Sequence, residues 1–363
     1  VELAWLSLAG FRSYRDLNWR PEEGVNLLVG RNGAGKTNLL EAVGYLAALR
    51  SFRHAPEEAL VHHDAESAVV RGEVRREAGK ALIEVEVRRR GGRRALLNRQ
   101  ALARSADLLG YVRVVAFLPE DLDLVKRGPA HRRDFLDQLA VQLWPGSHLD
   151  QSEFERALRQ RNAYLRQGAD DPTTLAVWDE RLAQAGGKVM SRRARAAAAL
   201  GERLPEAHRL IAGGEAGVRF VYLSEWGGGL EPSVPPSEHA ARLGEALARC
   251  RRVDRERRVT TAGPQRDEPT LLLGEHDARH HASQGEQRTL ALSLRLASHR
   301  AIADLIGADP LLLLDDVYSE LDPVRSEALT AALPKTQTLV TTAHPEDVPL
   351  DGRIWMVEDG TLR

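Results

Sequence analysis

Cysteine is all but absent from this 363-residue chain: Cys250 stands alone, which excludes an internal disulfide framework and suits a reducing compartment. Lysine is scarce too, supplying 5 of the 51 basic residues, so arginine carries nearly all the positive charge. Acidic and basic residues almost cancel, to a net charge of −1, and any affinity for a polyanion must come from local clusters. No apolar run approaches the roughly 18 residues that span a bilayer, and no basic stretch followed by a long apolar segment opens the sequence. A soluble, cytoplasmic protein without a membrane partner is expected. Zinc-finger spacing and stacked aromatic motifs are missing as well, so nothing supports sequence-specific nucleic-acid readout. Neither an internal repeat nor a sustained heptad run is present, which argues against a long coiled coil.

What the chain does have is a core-forming 43% of hydrophobic residues and one informative stretch, Val25 to Leu49. An apolar run from Val25 to Val29 gives way to a loop containing Gly30, Gly33 and Gly35. Apolar residues then resume at Leu39, Leu40, Val43 and Leu46, so the stretch reads as strand, loop, helix. Gly30 to Thr37 fits G-x-x-x-x-G-K-T, in which backbone N–H groups and a helix N-terminus surround a phosphate chain. A glycine-rich turn that happens to precede a helix is the plain alternative; the strand before and the helix after favour the phosphate loop. The candidate nucleotide-binding residues are Gly30, Arg31, Asn32, Gly33, Ala34, Gly35, Lys36, Thr37 and Asn38. Lys36 would reach the β- and γ-phosphates of ATP, and the Thr37 hydroxyl would help coordinate Mg²⁺.

Along the rest of the chain, Val1 to Ala9 reads as an early strand, followed by Phe11-Arg12-Ser13-Tyr14 close to the nucleotide. Ala68 to Arg75, Ala81 to Val87 and Arg93 to Leu97 form hairpins with turn glycines, and Tyr111 to Leu118 is a further strand. After Lys126 apolar residues recur at spacings of three and four. Helices are expected over Gln151 to Gln167, Leu175 to Leu200 and Glu238 to Arg258. Between them Arg219 to Leu223 reads as a strand, and Gly227-Gly228-Gly229 with Pro232, Pro235 and Pro236 as a loop. Strands return at Pro269 to Leu273, Leu311 to Leu314 and Gln337 to Thr341. Leu290, Leu292, Leu294 and Leu296 alternate as a strand would, yet the lack of β-branched residues and the S-x-x-E opening at Ser283 predict a helix running to Ile306.

Four leucines followed by Asp315 and Asp316 describe a buried strand whose carboxyl end meets the phosphate loop. Asp315 would hold Mg²⁺ and Asp316 would orient or deprotonate the attacking water. A core strand ending in a helix cap is the alternative. Ser283, Gln284, Gly285 and Glu286 open a helix and make a second anion site, with a capping box that holds no ligand as the alternative. SQGEQ is similar to the signature motif of ATPases that close as dimers, Ser319 to Asp322 resembles their D-loop, and His344 follows the next strand, where a γ-phosphate sensor is expected.

These motifs, with FRSY at Phe11 to Tyr14, RRDFLD at Arg132 to Asp137, QRN at Gln160 to Asn162 and AGPQRDE at Ala262 to Glu268, resemble the RecF family of bacterial recombinational repair ATPases. The resemblance runs almost end to end. Strand-rich ends flanking a helical middle already predict an α/β ATPase domain formed from both chain ends, residues 1–125 and 259–363, with an inserted mainly helical domain over 126–258, and the resemblance implies that this P-loop domain is of the ABC type. It also implies a homodimer formed with ATP, binding to double-stranded, gapped or junction DNA, and assistance to RecR and RecO in placing RecA on single strands. Lys36, Asp315, Asp316, Ser283 and His344 would be catalytic, with Thr37 and Asp315 on the metal. Asp316 is one methylene shorter than the glutamate common in the wider class. Misplacement near 1 Å can cost about a hundredfold, so slow turnover is expected. No glutamine stands after the middle strand; Glu120 or Asp121 occupies that neighbourhood.

Candidate DNA-phosphate contacts are Arg88, Arg89, Arg90, Arg93 and Arg94 around a hairpin and Arg192, Arg193 and Arg195 on a helix. Arg249, Arg251, Arg252, Arg255, Arg257 and Arg258 form a third group. Solvated faces with acidic partners are the alternative for each. His62-His63 and His280-His281 read as polar surface. A P-loop kinase would explain Gly30 to Thr37 but leave SQGEQ and SELD without purpose. The nucleotide-binding subunit of a membrane transporter would share the motifs but not RRDFLD.

Overall fold

The computed structural model describes residues 1–168, 171–214, 217–224 and 228–363. Contacts divide the chain into two compact units, Val1–Leu122 with Glu206–Glu215 and Arg288–Arg363, and Asp123–Pro205 with Ala216–Gln287. The expected boundaries therefore shift: residues 259–287 cluster with the insertion, because the strand over Pro269 to Leu273 has its ladder partners there. Among the described residues no helix is long and apolar enough to cross a membrane.

With elements numbered along the whole chain, the first unit holds β1 (Glu2–Phe11), β2 (Tyr14–Trp19), β3 (Val25–Val29) and α1 (Lys36–Ala48). It continues with β4 (Ser67–Arg76), β5 (Gly79–Arg88), β6 (Arg93–Leu97), β7 (Gln100–Ala101) and β8 (Val114–Phe117). Near the other chain end come β13 (Leu311–Asp315), α9 (Pro323–Ala332), β14 (Thr338–Thr342), β15 (Arg353–Glu358) and β16 (Thr361–Leu362). One sheet runs β2-β1-β4-β5-β6-β7, all antiparallel, and its strands alternate buried and more exposed positions as half-covered strands do. The other runs β16-β15-β3-β14-β13-β8 and is parallel from β15 to β8. Leu311 to Asp315 and Thr338 to Thr342 are buried at every position, which is why neither alternates apolar with charged residues: β13 is four leucines before its aspartate, and β14 is built from threonine, leucine and valine. Their carboxyl ends, with those of β3 and β8, fall on one edge of the sheet. The strand expected over Tyr111 to Leu118 is confined to Val114–Phe117, because its ladder with β13 spans only Leu311 to Leu314.

The second unit contains α2 (Asp123–Lys126), α3 (Pro129–Leu143), α4 (Ser147–Arg166), α6 (Pro236–Arg257) and α7 (Ala278–His281). It also holds the small sheet β10-β9-β11-β12, from β9 (Val218–Ser224), β10 (Gly228–Gly229), β11 (Glu268–Leu273) and β12 (His276–Asp277). Two helices belong to both units: α5 (Pro172–Ala212) changes unit at Pro205, and α8 (Gln284–Ile306) at Arg288. Pro205 lies inside α5 and removes one N–H donor from its ladder. Of the expected glycine loop, Gly228 and Gly229 pair with Ser224 and Leu223, while Gly227 lies outside the described residues.

Buried arginines hold this unit together. Arg161 is fully buried, with its guanidinium 2.8 Å from Asp179 and 2.7 Å from Asp254. Asn162 accepts from the Thr260 amide at 2.8 Å, so the QRN motif ties α4, α5 and α6 to the segment that follows them. Arg132 donates to the carbonyls of Leu124, Arg127 and Pro269. Such charges cost free energy to bury unless every donor finds an acceptor, and these largely do.

Candidate nucleotide site

The site is assembled in the first unit from the loop after β3, the ends of β13 and β14, and the segment after α1. Gly35 caps α1 with φ 105°, and a Cβ there would lie 2.7 Å from Ser13 Oγ. A Cβ on Gly30 would come within 2.4 Å of the Val357 carbonyl oxygen, so only glycine lets the loop pass. Tyr14 OH donates to the Gly35 carbonyl at 3.0 Å and Asn38 Nδ2 to Ser13 Oγ at 2.9 Å, so the FRSY segment braces the loop from beneath. Burial pushes the Tyr14 hydroxyl well above its ordinary pKa and keeps it a donor.

Lys36 Nζ donates to the Gly30 carbonyl at 2.7 Å and the Arg31 carbonyl at 3.1 Å. Burial lowers its pKa, and the charges of Asp316 and Asp315 oppose that shift. Asp315 Oδ1 accepts from Thr37 Oγ1 at 2.8 Å and Thr341 Oγ1 at 2.7 Å. Its pKa is raised by burial against these hydrogen bonds, with the Glu120 and Asp316 charges adding to the rise. Asp316 takes φ 51°, rare for a residue with a Cβ, and its amide donates to Thr341 Oγ1 at 3.0 Å. Lys36, Thr37, Asn38, Asp316 and Thr341 line one cavity of about 300 Å³.

Arg53 lines the same cavity, with Nη1 3.5 Å from Asn38 Oδ1. Sequence reasoning missed it. Nothing local distinguishes it among so many arginines; the turn after α1 brings it there. The ambiguity between Glu120 and Asp121 resolves: Asp121 is buried, accepts the Leu118 amide at 2.9 Å and takes the Arg295 guanidinium at 2.9 Å, so it is a structural anchor. Glu120 stays exposed past the end of β8.

Other expected residues lie elsewhere. His344 is exposed and turns its ring toward Glu346, 3.4 Å away, outside the cavity lining. In the second unit, Ser283 N–H donates to Glu286 Oε2 at 2.7 Å and Glu286 N–H to Ser283 Oγ at 3.3 Å, a reciprocal capping box at an exposed helix start. Of the DNA candidates, Arg193 needs correcting: it is buried, with Asp137 2.6 Å from its Nε, because that aspartate and the Pro264 carbonyl draw it into the core. Arg192 pairs with Asp150 at 3.2 Å, and Arg195 lies exposed over the Trp144 ring at 4.3 Å. Arg88 lies beside Glu86, and Arg89 donates to the His62 and Ala65 carbonyls. Arg90 and Arg94 are exposed, with no side-chain partner among the described residues. In the third group Arg249, Arg251 and Arg252 each meet an acid. His62 is buried, not surface; with His63 and Asp64 it offers ligand atoms within 4.8 Å, although Asp64 already holds Arg15 at 2.5 Å.

A phosphate loop, a buried aspartate on the adjoining strands and a parallel sheet assembled from both chain ends define a P-loop ATPase head of the ABC type. The family model for the RecF/RecN/SMC N terminal domain matches residues 2–350. Within that class the chain belongs to the RecF family. It is 41% identical to the DNA replication and repair protein RecF of Streptomyces avermitilis, covering 100% of this chain and 99% of that one. It is 40% identical to the protein of that name from Acidothermus cellulolyticus, covering 99% and 98%. A solved structure of the recombination mediator protein RecF-ATPrS in the RecFOR pathway superposes with a TM-score of 0.92 at 29% identity, covering 99% of this chain and 97% of that one. An SMC head bound to the C-winged helix domain of ScpA shares the fold at a TM-score of 0.55 and 17% identity, covering 100% and 96%.

Proposed function

We propose that this chain is an ATP-gated DNA clamp of recombinational repair. The observation that carries the reading is the convergence of Lys36, Thr37, Asp315 and Asp316 on the loop between β3 and α1. The loop amides and Lys36 hold the phosphates. Thr37 Oγ1 and Asp315 Oδ1 are hard oxygen donors, 2.8 Å apart, of the kind Mg²⁺ takes. When bound, Mg²⁺ would neutralise charge on the phosphates. Asp316, held by Thr341, orients the attacking water and accepts its proton, slowly because the carboxylate is short.

Closure needs a second copy. Ser283 to Glu286 of one protomer meet the γ-phosphate held by the other, Ser319 to Asp322 lie along the seam, and His344 reaches the phosphate only on closing. Exposure of the signature residues, with an amide and a hydroxyl at a helix start, supports this role. The RecFOR pathway named for the solved relative supports DNA as ligand and RecR and RecO as partners in loading RecA. Binding follows the phosphate backbone through arginine.

Fluorescence anisotropy of a labelled gapped duplex, titrated in ATP and in ADP over several salt concentrations, tests the reading. The expected result is binding about tenfold tighter in ATP, weakening steeply with salt. Equal affinity in both nucleotides, or none in either, contradicts it.

A further inference from the structure

The arginine hairpin and the nucleotide cavity are joined through one side chain. Arg93, on β6, donates from Nη1 to the carbonyl of Leu49, the residue that ends α1. Its Nε lies 2.8 Å from Glu57, which also accepts the Tyr45 hydroxyl of α1 at 3.1 Å. Leu49 and Glu57 are the two ends of the segment that carries Arg53 into the cavity. One guanidinium therefore closes the base of that loop, and its tip faces the phosphate-binding residues. Further along the loop, Ser51 Oγ bonds Glu41 of α1 and accepts the Arg53 amide at 3.0 Å. The loop thus has a second anchor that does not involve Arg93.

The hairpin divides its arginines between two jobs. Arg89 and Arg93 point their donors inward, to carbonyls of the chain, whereas Arg90 and Arg94 are exposed without side-chain partners among the described residues. A polyanion meeting Arg90, in the turn before β6, and Arg94, on β6, thus pulls on the chain on either side of the residue that holds the Arg53 loop.

We propose that Arg93 is a positioning residue that sets Arg53 against the nucleotide and transmits polyanion contact at Arg90 and Arg94 to that setting. The second half rests on the DNA-clamp reading; the first does not. Coupling of this kind is reciprocal, so duplex DNA changes ATP affinity by the factor by which ATP changes duplex affinity.

A double-mutant cycle tests it. Affinity for a fluorescent ATP analogue is measured for the full chain, Arg53→Ala, Arg93→Ala and the double variant, with and without saturating gapped duplex. Arg53→Ala and Arg93→Ala are each expected to weaken ATP binding roughly tenfold, with the double variant no weaker than either. The effect of duplex on ATP affinity is expected to vanish in Arg93→Ala. Glu57→Gln, which removes one side of the clamp while keeping its shape, guards against misfolding and should weaken ATP binding in the same direction. Additive losses, or unchanged ATP affinity in Arg93→Ala and Glu57→Gln, overturn the positioning role. An undiminished duplex effect in Arg93→Ala overturns the transmission. If the unaltered chain binds no duplex, the DNA-clamp reading and the transmission both fall, and the cycle still decides the positioning role.

Discussion

Arg193 and Arg195 stand on the same helix, yet the first is buried against Asp137 and the second lies open over Trp144. An arginine count cannot separate these cases, because burial is decided by partners far away in sequence. His299 shows the same rule for a neutral group. It is buried on α8, and burial pushes its pKa down to about 4, against the charge of Asp309 and the Pro310 carbonyl. The folded value lies below that of the unfolded chain. Between about pH 6.5 and pH 4 the unfolded chain therefore binds the extra proton, and stability falls as pH drops through that window. Urea unfolding at pH 7 and pH 5 should show roughly 2 kcal/mol lost through this site. His299→Gln should remove that part of the dependence; an unchanged difference between the two pH values would mean that His299 does not carry it. The phosphate loop was legible at this scale because its chemistry is local, from Gly30 to Thr37. Arg53 was not, since only folding brings it to the cavity.

At the scale of elements, period and punctuation read well where a segment is buried on one pattern throughout. Leu311 to Asp315 declared itself by lacking any polar position before its acids, and α8 by its capping box despite alternating leucines. Less legible were α5, which runs on through Pro205 to Ala212, and β15, whose Ile354 and Met356 stay exposed and so give no core pattern. The RRDFLD and QRN stretches were legible as family marks but not as joints, because their arginines look like surface residues until Asp179 and Asp254 close around Arg161. This network joins three helices, and although Arg251 also reaches Asp179 at 2.7 Å, removing the fully buried Arg161 leaves the buried Asp254 carboxylate without a cation. Arg161→Met is expected to cost about 3–5 kcal/mol in urea unfolding followed by circular dichroism. The exposed pair Arg159–Glu155 on the same helix, broken as Arg159→Met, should cost less than about 1 kcal/mol. Similar losses in the two variants would show that the network does not hold the unit together.

For the whole molecule, the α/β class and the contribution of both chain ends to one ATPase fold followed from where strands and helices fall along the chain. The division into compact units was less accessible, since β11 follows the helical stretch in sequence yet pairs with β9 inside it. The proposed function rests on assembly. A single copy brings Lys36, Thr37, Asp315 and Asp316 together, while Ser283 to Glu286 stand exposed at a helix start. ATP can drive closure only through its preference for the closed form. Sedimentation velocity of the unaltered chain, Lys36→Ala and Asp316→Asn, each in ATP and in ADP, tests this most directly. The account requires an ATP-dependent dimer for the unaltered chain, none for Lys36→Ala, and a dimer that persists in Asp316→Asn because closure no longer ends in hydrolysis. An Asp316→Asn variant that binds ATP and stays monomeric would contradict it.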